Sequence, residues 1–439
     1  MIFNFLRYLS PIWYFNLKPA LDFGFFPTEE QLKRDGFLLN LDEKYLSKES
    51  KIRDLAWNAF KSGYINNAYE PGIDVWKKVN LPVQDEYLFL RKNYHSAWVL
   101  YVLLIRLFTF HNPFVELKAY FKNREVKRVD FLKLALNYEL YESFESDLIK
   151  KEPLVSVIIP TLNRYVYLKD VFKDLENQTY KNFEVIVVDQ TEPFQEDFYQ
   201  GWNFKLVYWH QKEKALWKAR NSAIQKANGD YVLLYDDDSL VDPNWIEEHL
   251  KCLDFFKADL SSGVSLSVVG AEIPLNYQYF RWSDQLDTGN VLLKKEIFYK
   301  IGFFDLQFEK QRMGDGEYGL RCYLNGYKNI SNHKAKRIHL KVSEGGLRQM
   351  GSWDGWRPKK IFGPRPVPSV LYLSRKYFGA SNTIYYIMNS IFPSLIPYKF
   401  KGNKKLKFVS FLFIPFLLPL VIFQVINSWK QSSKMLICN

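Results

Sequence analysis

The sequence predicts a three-layer α/β domain over residues 153–345, with a mainly helical region before it (1–152) and a helical, apolar extension after it (346–439). Three observations carry this division. From Leu154 onward, short aliphatic and β-branched runs alternate with stretches of helical length, the pattern of a sheet covered by helices on both faces. One run, 231–235, ends on Asp236-Asp237-Asp238, as a buried parallel strand would end at its carboxyl edge, where open α/β sheets bind their ligands. Beyond residue 345 the alternation stops, and two long uncharged segments take over, 379–398 and 408–429.

In chain order, residues 97–110 are almost wholly apolar but include Arg106 and are too short to span a bilayer, which predicts a buried helix. His111-Asn112-Pro113 breaks it, with Asn112 as N-cap and Pro113 as first residue of a helix through Phe121. A charged stretch over 142–152 leads into the α/β domain. Residues 155–159, stopped by Pro160, read as a strand buried on both faces. A helix over 165–177 and a strand over 184–188, ending at Asp189, complete one βαβ unit. Strands at 205–209 and 231–235 flank a helix at 214–226, and Asp242-Pro243 caps the next helix. Further strands fall at 264–273 and 291–293, a helix at 316–324 and a closing strand at 338–341.

Composition bounds the function. The chain has 439 residues, 47% hydrophobic and 25% charged, and so is globular with more than one domain. Its net charge of +12 is patchy: Lys399, Lys401, Lys404, Lys405 and Lys407 cluster near the C-terminus, while Asp236 to Asp238 form an acidic focus. That arrangement suits anionic lipid outside and a metal with a phosphate donor inside. Nucleic acid is excluded as a partner, since no helix-turn-helix, zinc-finger or RNA-recognition pattern is present. Cys252, Cys322 and Cys438 have no metal-ligand spacing and read as reduced thiols. The N-terminal apolar run breaks at Pro11 without a small-residue cleavage site, so no cleaved secretory signal is expected.

Three adjacent carboxylates repel one another unless a cation sits among them, and a hard divalent ion takes such oxygen ligands; the alternative is a solvated acidic turn. The flanking motifs decide. Val155-Ser156-Val157-Ile158-Ile159-Pro160-Thr161-Leu162-Asn163-Arg164, Gln178-Thr179-Tyr180 and Phe183-Glu184-Val185-Ile186-Val187-Val188-Asp189 come first. Lys218-Ala219-Arg220-Asn221, Gly229-Asp230-Tyr231, the Asp triplet, Thr288-Gly289-Asn290, Ile301-Gly302-Phe303-Phe304-Asp305 and Gly314-Asp315-Gly316-Glu317-Tyr318-Gly319-Leu320-Arg321 follow in order. Together they resemble family 2 glycosyltransferases of the GT-A fold, over roughly residues 153–342. Each motif alone is weak; the ordered series is specific.

The resemblance implies transfer of a sugar from a nucleotide-sugar donor to an acceptor hydroxyl of a glycan or lipid-linked acceptor, with a divalent metal, Mn²⁺ or Mg²⁺, as cofactor. It assigns Thr161, Asn163, Arg164, Asp189, Arg220, Asn221, Asp236 and Asp237 to the donor, Asp238 and His339 to the metal, and Asp315 to the catalytic base, with Glu317 as fallback. Each has a plainer alternative: Arg220 a surface helix residue, His339 a hydrogen-bonded structural residue, Asp315 a helix cap. Two positions depart from the family pattern. Gln190 follows Asp189 where a second acid is common, and Gly314 precedes Asp315 where Glu is common. Gln278-Tyr279-Phe280-Arg281-Trp282 spells the Gln-x-x-Arg-Trp motif of processive synthases but precedes Asp315 instead of following it, so the enzyme is expected to be non-processive.

The expected function is therefore an inverting, metal-dependent, non-processive transferase in surface glycan or polysaccharide synthesis. The alternatives are a catalytically inactive binding or scaffold relative, and a nucleotidyltransferase, which the missing Gly-rich phosphate loop disfavours. Trp353, Asp354, Trp356 and Arg357 suit either an acceptor site or a packing layer, with packing preferred. The uncharged 408–429 segment behind its lysines predicts attachment to the cytoplasmic face of a membrane; Pro415, Pro419, Gln424 and Asn427 favour lying in the interface over crossing, and a soluble packed layer is the alternative.

Overall fold

The computed structural model describes all residues except 21–25, 38–39, 67–78, 268–273, 343–344, 348–353, 359, 397–402 and 438–439. The chain divides into two compact units, one of residues 136–352 and one formed jointly by 1–135 and 353–439. The first begins earlier than the sequence boundary at 153, because the short helices after residue 139 pack on a sheet-covering helix. There the Tyr141 ring lies 5.2 Å from Phe255, and Ser146 Oγ donates to Asp254 at 2.8 Å.

In the 136–352 unit, nine strands among the described residues form one sheet: β1 (Val155–Thr161), β2 (Phe183–Asp189), β3 (Lys205–His210), β4 (Tyr231–Tyr235), β5 (Ser239–Val241), β6 (Leu260–Ser267), β7 (Arg281–Trp282), β8 (Asn290–Lys294) and β9 (Asn329–His339). The order is β3-β2-β1-β4-β8-β6-β9-β5, with β7 also on β9. β3, β2, β1 and β4 run parallel, β8 is antiparallel to both neighbours, and β6 pairs parallel with β9. This is the expected α/β arrangement of a mixed sheet covered by helices.

β1 and β2 are buried at every position, which is why apolar residues fill both of their faces; the buried Ser156 and Glu184 that interrupt them bond each other at 2.8 Å. The helix Leu216–Lys226 packs on both strands, and the helix Tyr165–Glu176 buries Leu168, Val171, Phe172 and Leu175, spaced as one helical face. Behind the sheet, His249 joins the layers. Its ring nitrogens meet Ser261 Oγ at 2.9 Å and Asn290 Oδ1 at 3.0 Å, and Asn290 Nδ2 donates to Val264 and Ala335 carbonyls on β6 and next to the β9 bulge.

Most sequence-predicted elements hold to within two or three residues, and two do not. The closing strand predicted at 338–341 is the eleven-residue β9, Asn329–His339, and the predicted 264–273 strand is Leu260–Ser267, its remainder lying outside the described residues. The helix predicted to be capped by Asp242-Pro243 starts at Trp245 with Asn244 as its N-cap and no side-chain cap bond.

In the other unit, Asn112 Oδ1 accepts from the Phe114 and Val115 amides ahead of the helix Pro113–Lys122, as its sequence predicts. The C-terminal helix Lys404–Ile437 packs on Pro368–Leu395, which bends at Gly379. Arg375 ties the two together, donating to the Trp429 carbonyl at 3.0 Å and to Ser432 and Ser433 at 2.8 Å. Trp356 is buried edge-on to Tyr386, and Arg357 donates to the Ser394 and Ile396 carbonyls, so these two residues pack; Trp353 lies outside the described residues. Among the described residues no helix is long and apolar enough to cross a membrane.

Candidate active site

The ends of β1, β2 and β4, the entry to β8 and the end of β9 meet at one edge of the sheet. They place Thr161, Asp189, Asp236 to Asp238, Thr288 and His339 together there. The three consecutive acids point to different partners. Asp236 is held by two buried guanidiniums, Oδ1 by Arg220 at 3.1 Å and Oδ2 by Arg337 at 2.7 Å. Asp237 accepts from Thr161 Oγ1 and from Arg164, both at 2.8 Å. Asp238 lies 3.1 Å from Arg164 and 3.3 Å from His339 Nε2. Burial pushes the Asp237 carboxyl up to about 6, against the pull of Arg164.

Arg337 is the residue that sequence reasoning missed. It is 2% exposed, and besides Asp236 it holds Asp287 at 2.8 Å, Ser265 at 2.7 Å and Ser239 at 2.9 Å. Burial alone would lower its pKa, but Asp287 and Asp236 more than reverse that, so it stays charged. Burial likewise acts to raise Asp287, and Arg337 overrides it to leave that carboxyl below its usual range. Nothing local in the sequence marks this triad, whose members lie 50 and 101 positions apart. Only Gly fits at 289, because a Cβ there would stand 2.2 Å from both the Arg337 guanidinium and the Asp236 carboxylate.

Asp236, Asp238 and His339 each offer a ligand atom within 4.8 Å of the others. Two carboxylates and an imidazole form a donor set that fits Mn²⁺ or a similar divalent cation. One feature limits the fit: both Asp236 oxygens already bind guanidiniums, and Asp238 shares its charge with Arg164. Asp238 and His339 are therefore the better-disposed pair, with Asp236 completing the set.

The other donor-assigned residues divide. Arg220, 1% exposed, bridges Asp236 and the Thr288 carbonyl and packs 5.3 Å over Trp217, so it is no surface helix residue. Asn163 is exposed at the β1 exit with φ 55°, its amide on Thr191 Oγ1. Asp189, by contrast, is fully buried, and its carboxylate already accepts from Tyr165 at 2.5 Å, Tyr199 at 2.8 Å and the Thr191 amide at 2.8 Å. Asn221 exchanges hydrogen bonds with the Phe304 amide and carbonyl, at 3.0 and 2.9 Å. Both of these residues hold loops of the site in place.

Asp315 is half-buried in the first turn of the helix Gly314–Leu324, beside Trp217, Arg312, Met313 and Leu347. Its Oδ1 accepts from the Gly316 amide at 2.8 Å. The fallback base does not survive: Glu317 is 1% exposed and its two oxygens grip Arg321 at 2.9–3.2 Å, leaving it no access to substrate. Gly314 stands where the family often has Glu because a Cβ there would come within 2.5 Å of the Trp217 ring. Glu309, also unforeseen, caps the helix Leu216–Lys226 by accepting from the Leu216 and Lys218 amides at 3.0 and 2.9 Å and from that of Trp217. Burial raises its pKa.

Residues 156–310 match the family described as Glycosyl transferase family 2. The chain contains a family 2 glycosyltransferase domain. Among curated relatives, "Glycosyltransferase GlyA" of Streptococcus pneumoniae is 25% identical over 167 residues, 36% of this chain and 22% of that protein. The chondroitin synthase of Escherichia coli is 31% identical over 129 residues, 28% of this chain and 18% of that one. The chain spans about a fifth of the length of either relative. Among solved structures, S. aureus TarS in complex with UDP-GlcNAc is similar with a TM-score of 0.44 at 15% identity, covering 64% of this chain and 91% of that one. Within the matched residues, the Asp triplet and Thr288-Gly289 meet at the sheet edge described above, through Arg220 and Arg337.

Proposed function

We propose that the chain is an inverting, metal-dependent, non-processive glycosyltransferase that moves a sugar from a nucleotide-sugar donor to an acceptor hydroxyl of a glycan or lipid-linked acceptor. The observation that carries this reading is the convergence of Asp236 and Asp238, just past β4, with His339 at the end of β9, the two acids lying within the residues that match family 2. Asp238 and His339, with an oxygen of Asp236, would hold a divalent cation, which when bound offsets the charge of a nucleoside diphosphate. Arg164, at the mouth of the site, supplies positive charge to the diphosphate. Arg220 and Arg337 fix the Asp236 carboxylate in place, so that it can accept from the ribose.

Asp315 is the base. Its carboxylate takes the proton of the acceptor hydroxyl while that oxygen bonds to the anomeric carbon; the bond from that carbon to the diphosphate breaks on the opposite face, and the nucleoside diphosphate leaves with the electron pair. The product then has inverted configuration. Trp217, packed on Gly314 and Phe304, forms a wall of the same pocket. The loss of Glu at 314, the one feature that favours an inactive relative, follows from this packing and leaves the base in place.

The C-terminal helix supports attachment to a membrane surface. One flank is anchored to its own unit, with Gln424 accepting from Arg365 at 2.8 Å and donating to the Ile361 carbonyl at 2.5 Å. The other exposes Phe416, Ile422, Phe423 and Ile426, so the helix would lie in the interface with its polar side satisfied by protein. The lysines at 399 and 401 lie outside the described residues, as do the side chains of 404–413. Release of nucleoside diphosphate from a panel of nucleotide sugars, with Mn²⁺ or chelator, tests the proposal. A donor turned over in Mn²⁺ by the wild type but not by Asp238→Ala supports it; metal-independent turnover by that variant removes the metal role.

A further inference from the structure

The helices Ser96–Phe108 and Pro113–Lys122, joined by a tight turn, form a hairpin that the catalytic reading does not use. Its inner face is fixed by a buried ion pair, Arg106 to Glu116 at 2.6 Å, with Tyr87 donating to the same carboxylate at 2.7 Å. Its outer tip is apolar and uncovered: Phe108 is 80% exposed, Phe110 97% and Phe114 83%.

The turn itself is built to present these rings. His111 N–H bonds the Arg106 carbonyl and Phe110 N–H that of Leu107, the paired bonds of a helix-terminating motif whose left-handed position usually belongs to Gly. Here Phe110 occupies it at φ 60°, a strained conformation for a bulky residue. The ring contributes almost no burial to the fold in return.

The charge on the hairpin itself is mainly of one sign. Between residues 96 and 124 the sole acid is Glu116, which is buried, whereas Lys118 and Lys122 are exposed on the second helix; past its end Arg124 pairs with Glu125 at 3.4 Å. Aromatic rings beside the exposed Lys118 and Lys122 match a bilayer with anionic headgroups: rings enter the acyl boundary while ammonium groups stay at the phosphates. A face that paired with a second protein copy would bring these cations against their own kind.

We propose that this hairpin tip, with Phe108, Phe110 and Phe114, inserts into the surface of an anionic bilayer. The site is distinct from the C-terminal helix and stands independently of the catalytic assignment. Flotation of the full-length chain with vesicles of phosphatidylcholine, with and without phosphatidylglycerol, tests it. The wild type should float with the anionic vesicles. The Phe108→Ser/Phe110→Ser/Phe114→Ser variant should lose on the order of tenfold or more in partitioning, and Lys118→Gln and Lys122→Gln about fivefold each. Phe110→Gly serves as the folding control, because Gly suits the left-handed position: its melting temperature should hold or rise while partitioning falls.

Wild-type flotation by the triple-Ser variant and by Phe110→Gly would overturn the proposal. So would loss of flotation only on Phe416→Ser/Phe423→Ser, which would assign membrane binding to the C-terminal helix. A concentration-dependent dimer that the triple substitution abolishes, with no vesicle binding by the wild type, would instead make the tip an interface between copies.

Discussion

Asp315 and Glu317 sit two positions apart on one helix, yet their surroundings give them different work. Asp315→Asn keeps the shape and the Gly316 amide contact but cannot take a proton. Turnover should fall by about 10²–10⁴-fold with donor affinity unchanged, measured by steady-state kinetics beside nucleotide titration. Glu317→Gln should instead lower the melting temperature, by about 2 kcal/mol of stability, because it weakens the carboxylate fork that holds Arg321 on the Ile301 and Phe303 carbonyls. A large kinetic effect without loss of stability would return Glu317 to the chemistry. That Asp236, Asp238 and His339 come together was legible in the sequence because they fall in short motifs at strand ends. Arg337 and Asp287 were not, since a charge pair across a sheet edge leaves no local spacing. Asp189 and Asn221 show the reverse: the motif marks the position, but neighbouring hydroxyls and backbone groups already take up the polar atoms.

Among the elements, the strands with continuous apolar runs were readable and the polar one was not. β9 reads Asn-Ile-Ser-Asn-His-Lys-Ala-Lys-Arg-Ile-His, without a period of two or a β-branched run. It forms because β6 pairs along one side and β5 and β7 along the other, with a register break at Gly263/Val264. Its length carries Arg337 and His339 to the site edge. The entry to β8 is equally constrained, since Gly289 lets the backbone lie directly against the Arg337–Asp236 pair. Gly289→Ala should therefore separate that pair, lowering stability by about 1–3 kcal/mol and weakening nucleotide binding at once. Denaturant melts and nucleotide titration measure the two effects; an unchanged melt would mean the edge is looser than its contacts indicate.

At the scale of the whole molecule, the sequence could not reveal that residues 1–135 and 353–439 form one unit, because that grouping depends on contacts between segments more than two hundred positions apart. Stability of the other unit should depend on pH through His249, which burial holds down to about 4 against an ordinary 6.5. A histidine with a depressed folded pKa stabilises above its unfolded value and loses that contribution as pH falls from about 6.5 toward 4, up to about 3 kcal/mol. His249→Gln should flatten melting temperature over that window relative to the wild type. The central claim is that the carboxylates and His339 at the sheet edge hold a cation and a nucleoside diphosphate. Thermal shift of the full-length chain with a panel of nucleoside diphosphates, in Mn²⁺ and in chelator, tests it most directly: a ligand at a hundred times its dissociation constant adds about 2.7 kcal/mol. At least one diphosphate should raise the melting temperature in Mn²⁺, lose that effect in chelator and lose it again in Asp238→Ala, whereas a panel that leaves the wild-type melting temperature unmoved in Mn²⁺ would contradict the account.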